Sequence, residues 1–486
     1  VRIPIPPVPH PLIDIEIADT HRRGAPLAIL VSTPEDHEDG TPAEPFELEG
    51  VTSSGRAGEV RTIPAGSGPR WLAGIGDGEP KQYRKAGAAL AREAESYLAD
   101  RGGHAFQIEL PEEADGDDVA ELMMGALLGG YRYSVSADRS KPALRTLRVL
   151  TRYERAVPAY QEIAARVREL AGAAALARDL ANTPSNVKNP AWLAEIARKT
   201  AVPGLTVTIR DEKWLAEQGF GGVLAVGGGS ASPPRLIELE YRPRGAAKHL
   251  LLVGKGITFD TGGISIKSAD GMHLMRTDMA GGGAVIAAAR AIAALKLPVR
   301  VTALVPAAEN HVSGSSYRPG DVVRHFNGVT TEVGNTDAEG RMVLADALAY
   351  GIKRFKPDAV IDVATLTGAM KVSLGLRTGG LFATDDALAD RVREAGERAG
   401  EAWWRMPLLE AHAETIRGEL ADIRQAVPGP GGITAALFLR EFVGDTPWVH
   451  LDIAGPARAD KTYDDVVPGA SGFAARTLVE LASAYR

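Results

Sequence analysis

Hydrophobic residues are grouped along this chain in two ways. Short apolar-rich runs occur at residues 27–31, 144–150, 205–209, 249–253, 300–305, 359–363 and 448–453, and their length and Val/Ile/Leu content mark them as strands. Between them, apolar residues recur at helical spacing over 85–98, 158–181, 278–296, 342–355 and 432–443. Strand and helix in alternation predict an α/β protein with a mixed or largely parallel sheet covered by helices. In such a sheet, ligands sit where strands end and loops begin. The short run Ile264-Ser265-Ile266-Lys267 alternates strictly and is predicted to be extended, with Ser265 and Lys267 on the polar face.

The pattern divides the chain. Residues 1–152 form a smaller N-terminal α/β domain, 153–182 a connecting helix rich in Ala, Leu, Arg and Glu, and 183–486 a larger α/β domain. The helix stops at Asn182-Thr183-Pro184-Ser185-Asn186, a dense turn signal. The turn Gly74-Ile75-Gly76-Asp77-Gly78 has the look of a dinucleotide loop but lacks the third spaced glycine, and a plain strand-to-helix turn is the better reading. The proline-rich first dozen residues read as a tail or an edge segment.

Composition narrows the function. The chain of 486 residues is long for one domain, and its 45% hydrophobic and 24% charged residues are those of an ordinary globular protein. A net charge of −7 gives no electrostatic reason to expect nucleic acid or an anionic membrane as partner. The chain has no cysteine, which excludes disulfides, thiol nucleophiles and Cys-ligated metals, so any metal must use oxygen and nitrogen donors. Prolines interrupt the opening Val1-Arg2-Ile3-Pro4-Ile5-Pro6-Pro7, leaving no signal-peptide core, and no run approaches the ~18 apolar residues of a membrane helix. A cytoplasmic location is the expectation.

The candidate chemistry is concentrated in Asn335-Thr336-Asp337-Ala338-Glu339-Gly340-Arg341-Met342, just before an apolar helical pattern. If this segment is extended, Asp337, Glu339 and Arg341 share one face, a poor core strand but a good metal-and-anion site. The run resembles the Asn-Thr-Asp-Ala-Glu-Gly-Arg-Leu signature of the leucyl aminopeptidase (cytosol aminopeptidase) family of two-metal peptidases. Met342 stands where that family usually has Leu, a swap of similar volume. Further blocks of the family appear in order: Ala177-Arg178-Asp179-Leu180, Val253-Gly254-Lys255-Gly256-Ile257-Thr258-Phe259-Asp260, Met275-Arg276-Thr277-Asp278, Ala364-Thr365-Leu366-Thr367-Gly368 and Trp448-Val449-His450-Leu451-Asp452. The likeness spans roughly 175–480.

The resemblance implies a ligand set of Lys255, Asp260, Asp278, Asp337 and Glu339. Asp260 and Glu339 would bridge two divalent ions, Lys255 and Asp278 complete one coordination sphere, and Asp337 completes the other. Four carboxylates in one pocket need such positive charge, and two dications balance them. Zn or Mn would suit these donors, with Mg or Co also compatible. A lysine ligand is unusual, because its amine must be deprotonated; by the residues alone Lys255 reads as a surface or phosphate-facing lysine. Asp278 alone reads as a helix N-cap. By resemblance Lys267 faces the developing oxyanion and Arg341 holds a bicarbonate acting as base; read by themselves they are a solvated lysine and a salt-bridge partner. Met275, Thr365 and Gly368 map to the pocket for the first side chain, and Asn335 to the substrate side. The implied reaction removes the N-terminal residue, leucine or a similar apolar one, from peptides by a metal-activated water, and the implied assembly is a homohexamer. Two rivals are a two-metal phosphoesterase and a non-catalytic binding protein on a peptidase fold. His450 and Asp452 share a strand face, but no serine elbow accompanies them and they read as structural. His273 matches no ligand position.

Overall fold

The computed structural model describes residues 3–34, 44–64, 69–136 and 141–485; Val1 and Arg2, which head the proline-rich stretch, lie outside them. The chain forms two compact units, Val1–Gly172 with Asp460–Pro468, and Ala173–Ala459 with Gly469–Arg486. The helix Val157–Asn182 begins in the first and ends in the second. The return of Asp460–Pro468 to the first unit has no signal in the hydrophobic pattern.

In the first unit, a six-stranded sheet runs in the order Asp14–Ala18, Thr146–Leu150, Ala105–Glu109, Leu27–Ser32, Arg70–Gly76 and Val60–Ile63. Neighbours are parallel except the last pair. The stretch after Arg70–Gly76 leads into helix Pro80–Arg101, where Gln82 Oε1 accepts the Glu79 N–H at 2.8 Å and proline opens the first turn. The glycine-rich turn is thus closed by the local chemistry of a helix start.

The second unit carries a mixed nine-stranded sheet. From edge to edge it runs Ala402–Arg405, Thr378–Ala383, Trp448–Asp452, Ala359–Ala364, His249–Gly254, Arg300–Asn310, Arg235–Tyr241 and Leu205–Arg210, and Gly256–Asp260 pairs beside Arg300–Asn310. The central strands Trp448–Asp452, Ala359–Ala364, His249–Gly254, Gly256–Asp260 and Arg300–Asn310 are mutually parallel. Burial on both faces explains their continuous apolar character; every residue of His249–Gly254 is buried. Helix Ala280–Ala294 is built mostly of Ala and Gly so that it can lie directly on this sheet: a Cβ on Gly281 would stand 2.1 Å from the Val363 carbonyl oxygen. Helix Glu339–Phe355 covers the sheet as well, with Met342 fully buried where the substitution for Leu was expected to be tolerated. Among the described residues no helix is long and apolar enough to cross a membrane.

Candidate metal centre

Parallel strands end on one side of a sheet, and here those ends carry the predicted ligands. Lys255 follows His249–Gly254, Asp260 ends Gly256–Asp260, Asn310 ends Arg300–Asn310, and Thr365 follows Ala359–Ala364. Asp337 and Glu339 arrive from the loop and first turn that open helix Glu339–Phe355. Asp278 comes from the end of the 3-10 turn Met272–Thr277, just before helix Ala280–Ala294.

The carboxylates converge. One oxygen each from Asp260, Asp337 and Glu339 lie within 4.8 Å of one another. Lys255 Nζ is 2.8 Å from Glu339 Oε1 and 2.8 Å from Asp278 Oδ2, and it donates to Thr365 O at 3.0 Å. Lys267 Nζ lies 2.8 Å from Asp260 Oδ2 and also meets Asp337 Oδ1. Thr365 Oγ1 donates to Asp278 Oδ1 at 2.8 Å. All five predicted ligands and Lys267 therefore join one connected cluster.

Four carboxylates against two ammonium groups leave the cluster short of positive charge. Burial, then the neighbouring Asp260, pushes Glu339 up to about 8, and burial with Asp260 pushes Asp278 to about 6 and raises Asp337, although the lysines pull the other way. Burial opposes the charge of Lys255, yet Asp278, Glu339 and Asp260 outweigh it and raise its pKa. Glu339 Oε2 is buried without a hydrogen-bond partner. Four carboxylates beside one amine, with a spare buried lone pair and excess negative charge, fit hard or borderline divalent cations.

Three local expectations are corrected by the structure. Residues 337–341 are not extended: Asn335 Oδ1 accepts the Asp337 N–H at 2.9 Å, forming a turn, and the helix starts at Glu339. Glu339 and Arg341, two positions apart on a helix, consequently diverge. Glu339 meets Lys255, while Arg341 Nη1 donates to Gln425 O at 2.6 Å with its Nε buried and unpartnered. Burial lowers the Arg341 guanidinium to about 10, with Glu339 and Asp452 opposing the shift. Ile264-Ser265-Ile266-Lys267 is a loop rather than a strand: both isoleucines are exposed, the Ser265 N–H is taken by Thr336 Oγ1, and the Lys267 N–H by Thr261 O. Asp278 is not the N-cap of helix Ala280–Ala294, a position held by Met279; it closes the 3-10 turn instead, and its carboxylate is taken up by Lys255 and Thr365.

Of the residues mapped to substrate, Thr365 touches the cluster through its contacts to Asp278 and Lys255. Met275 and Gly368 flank these positions, half-buried and exposed respectively, and Asn335 is exposed on the signature turn. His450 Nδ1 meets Asp362 Oδ1 at 2.6 Å, and Asp452 accepts from Thr367 Oγ1 and the Leu366, Thr367 and Ala454 amides, so both are held by structural partners. His273 is exposed and away from these contacts.

Two supporting residues escaped the sequence reading. Asn310 Nδ2 donates to Asp260 Oδ1 at 2.8 Å and to Thr336 O at 3.0 Å, orienting one carboxylate and tying down the signature turn. Gln425 accepts the Gly334 and Asn335 N–H groups, donates to Ala338 O and offers its carbonyl to Arg341. Neither lies in a recognisable motif. Gly340, by contrast, stands inside the signature, and its role is steric: a Cβ there would lie 2.6 Å from Lys255 Cε and 2.9 Å from its Nζ. Gly340→Ala is expected to push Lys255 off its carboxylates and to weaken divalent-ion binding ~10–100-fold, the usual cost of disturbing a supporting contact. Calorimetric metal titration beside a melting curve checks this; wild-type affinity in the variant would remove the steric role.

Comparison with known proteins decides the family. The cytosol aminopeptidase family, catalytic domain, matches residues 175–479. The chain belongs to the cytosol aminopeptidase family. A probable cytosol aminopeptidase of Roseiflexus castenholzii is 47% identical over 408 residues, covering 82% of this chain and 83% of the relative. One from Streptomyces coelicolor is 44% identical over 467 residues, covering 90% and 89%. Among solved structures, a mutant of tomato leucine aminopeptidase superposes with TM-score 0.86 at 33% identity, covering 97% of each chain. The bottromycin maturation enzyme BotP in complex with Mn superposes with TM-score 0.84 at 36% identity, covering 95% of this chain and 99% of that one. The protein is thus a two-domain α/β metallo-exopeptidase that releases N-terminal residues, dependent on a divalent metal; the phosphoesterase and non-catalytic readings are not favoured.

Proposed function

We propose that this cytosol aminopeptidase binds two divalent ions per chain, Zn or Mn by preference, through Lys255, Asp260, Asp278, Asp337 and Glu339. The observation that carries the reading is the convergence of the Asp260, Asp337 and Glu339 oxygens within 4.8 Å beside two lysines. When bound, the ions would supply Lewis acidity for a water and a scissile carbonyl, and an acceptor for the free α-amine.

The protein side chains divide the remaining work. The Lys255 side chain is 4% exposed and that of Lys267 is 22% exposed, so only Lys267 can reach a substrate. Its ammonium would donate to the oxyanion of the tetrahedral intermediate. Arg341 keeps its charge at neutral pH even though burial lowers it, and its unpartnered Nε and planar fork suit a small oxyanion such as bicarbonate, which would carry the proton to the leaving amine. Met275, Thr365 and Gly368 would receive the first side chain, Asn335 would serve the substrate side, and a thioether with two small residues favours leucine-like groups. We extend the name of the relatives to a cytoplasmic location, and the family resemblance to a homohexamer acting on peptides. Residues 183–486 would form the catalytic domain.

The experiment is an assay of a leucyl peptide with free or acetylated N-terminus, on chelated and metal-reconstituted protein. Activity is expected only with metal and only on the free amine, because an acetylated nitrogen is a poor ligand. Equal cleavage of both peptides would overturn the exopeptidase mechanism.

A further inference from the structure

Lys188 is fully buried, and none of its four polar contacts is a carboxylate. Its Nζ donates to Leu180 O at 2.8 Å, to Ala181 O at 3.0 Å and to Arg276 O, and lies 3.3 Å from Met279 Sδ. Lysine is the side chain with the most N–H bonds on a single nitrogen, and here three backbone carbonyls lie within their reach. Two of these carbonyls belong to the last turn of helix Val157–Asn182, where carbonyls lack intrahelical partners and a positive charge is favoured. The third belongs to the 3-10 turn Met272–Thr277. Arg276 follows Met275 and stands two residues before Asp278, while Met279 follows Asp278, so the lysine holds the backbone before that carboxylate and meets the side-chain sulfur just after it.

We propose that Lys188 is a positioning residue: it pins the segment bearing Met275 and Asp278 to the helix end, and thereby sets the affinity of one metal ion and the fit of the first substrate side chain. The inference rests on the two-metal reading of the site. Helix ends are commonly closed by glycine or by solvent; closing one with a buried lysine that also holds a ligand-bearing turn couples packing to the reaction centre. Outer partners of this kind are worth ~10–100-fold in metal affinity.

The test compares wild type with Lys188→Met, which keeps the volume and removes all donors, and Lys188→Gln, which keeps two. Metal titration with Mn, followed by kcat/KM for leucyl and alanyl amides at saturating Mn, reads both predicted effects. Expected are one ion weakened ~10–100-fold with the other unchanged, the leucyl-to-alanyl ratio lowered at least ~3-fold as the apolar pocket loses shape, and Lys188→Gln intermediate. Asp278→Asn should weaken the same ion. Unchanged affinity and ratio, equal weakening of both ions in step with the melting temperature, or failure of both variants to fold would overturn the proposal. Wild type that binds fewer than two ions or leaves leucyl amide intact would instead refute the underlying site reading.

Discussion

Asp260→Ala and Glu339→Ala are each expected to lose at least one ion per chain and to abolish hydrolysis of a leucyl amide. Both carboxylates sit at the centre of the cluster: Asp260 meets Lys267 and shares the 4.8 Å group with Asp337 and Glu339, while Glu339 meets Lys255 and keeps a spare buried oxygen. Removing either takes away one of only four negative charges, so the loss should exceed the ~10–100-fold typical of a supporting contact. In Asp260→Ala, the Gly262 N–H loses its acceptor and Asn310 Nδ2 loses one of its two, which adds a local rearrangement. Elemental analysis beside steady-state rates measures this. Two ions retained per chain, or near-normal turnover after partial loss, would sink the bridging assignment.

Lys267→Ala should behave differently, because that lysine is assigned to the transition state and not to coordination. Its loss leaves all five proposed ligands in place and removes a positive charge from beside Asp260 and Asp337, which favours cation binding if anything. Metal content should stay at the wild-type level while kcat falls ~10²–10³-fold, the usual cost of an oxyanion donor. Arg341→Ala should also retain metal, with a smaller fall in rate, since dissolved bicarbonate or water can partly replace a held anion. Added bicarbonate should restore Arg341→Ala more than Lys267→Ala. A Lys267→Ala protein that has lost its metal, or that keeps full kcat, would overturn the role of that side chain.

The site was legible in the sequence to an unusual extent for a reason visible in its construction. Lys255 and Asp260 lie at or just beyond the end of a parallel strand, Asp337 and Glu339 at the signature turn and the helix start after it, and Asp278 at the end of a 3-10 turn, so short ordered blocks of residues report each proposed ligand. What failed were the local conformations. Alternation at residues 264–267 predicts a strand and at 337–341 suits an extended segment, but the hydrogen bonds accepted by Thr336 Oγ1, Thr261 O and Asn335 Oδ1 bend both segments into turns. Period-2 spacing over four or five residues carries too little information to outweigh such contacts. The Asp278 cap reading failed because tertiary partners claimed the carboxylate first.

By itself the sequence determined the strand-and-helix alternation, the absence of thiol chemistry, the family and the residues that meet in the candidate metal centre, because these depend on residue type and spacing. Only the tertiary structure decided how those residues are served: Asn310 on Asp260, Gln425 on the signature turn, Gly340 clearing room for Lys255, and Lys188 closing a helix end onto the turn before Asp278. It also brought Asp460–Pro468 back to the first unit. The physical reason is distance along the chain. A hydrogen bond between residues tens of positions apart leaves no periodic trace, and a backbone carbonyl that accepts it carries no residue identity at all.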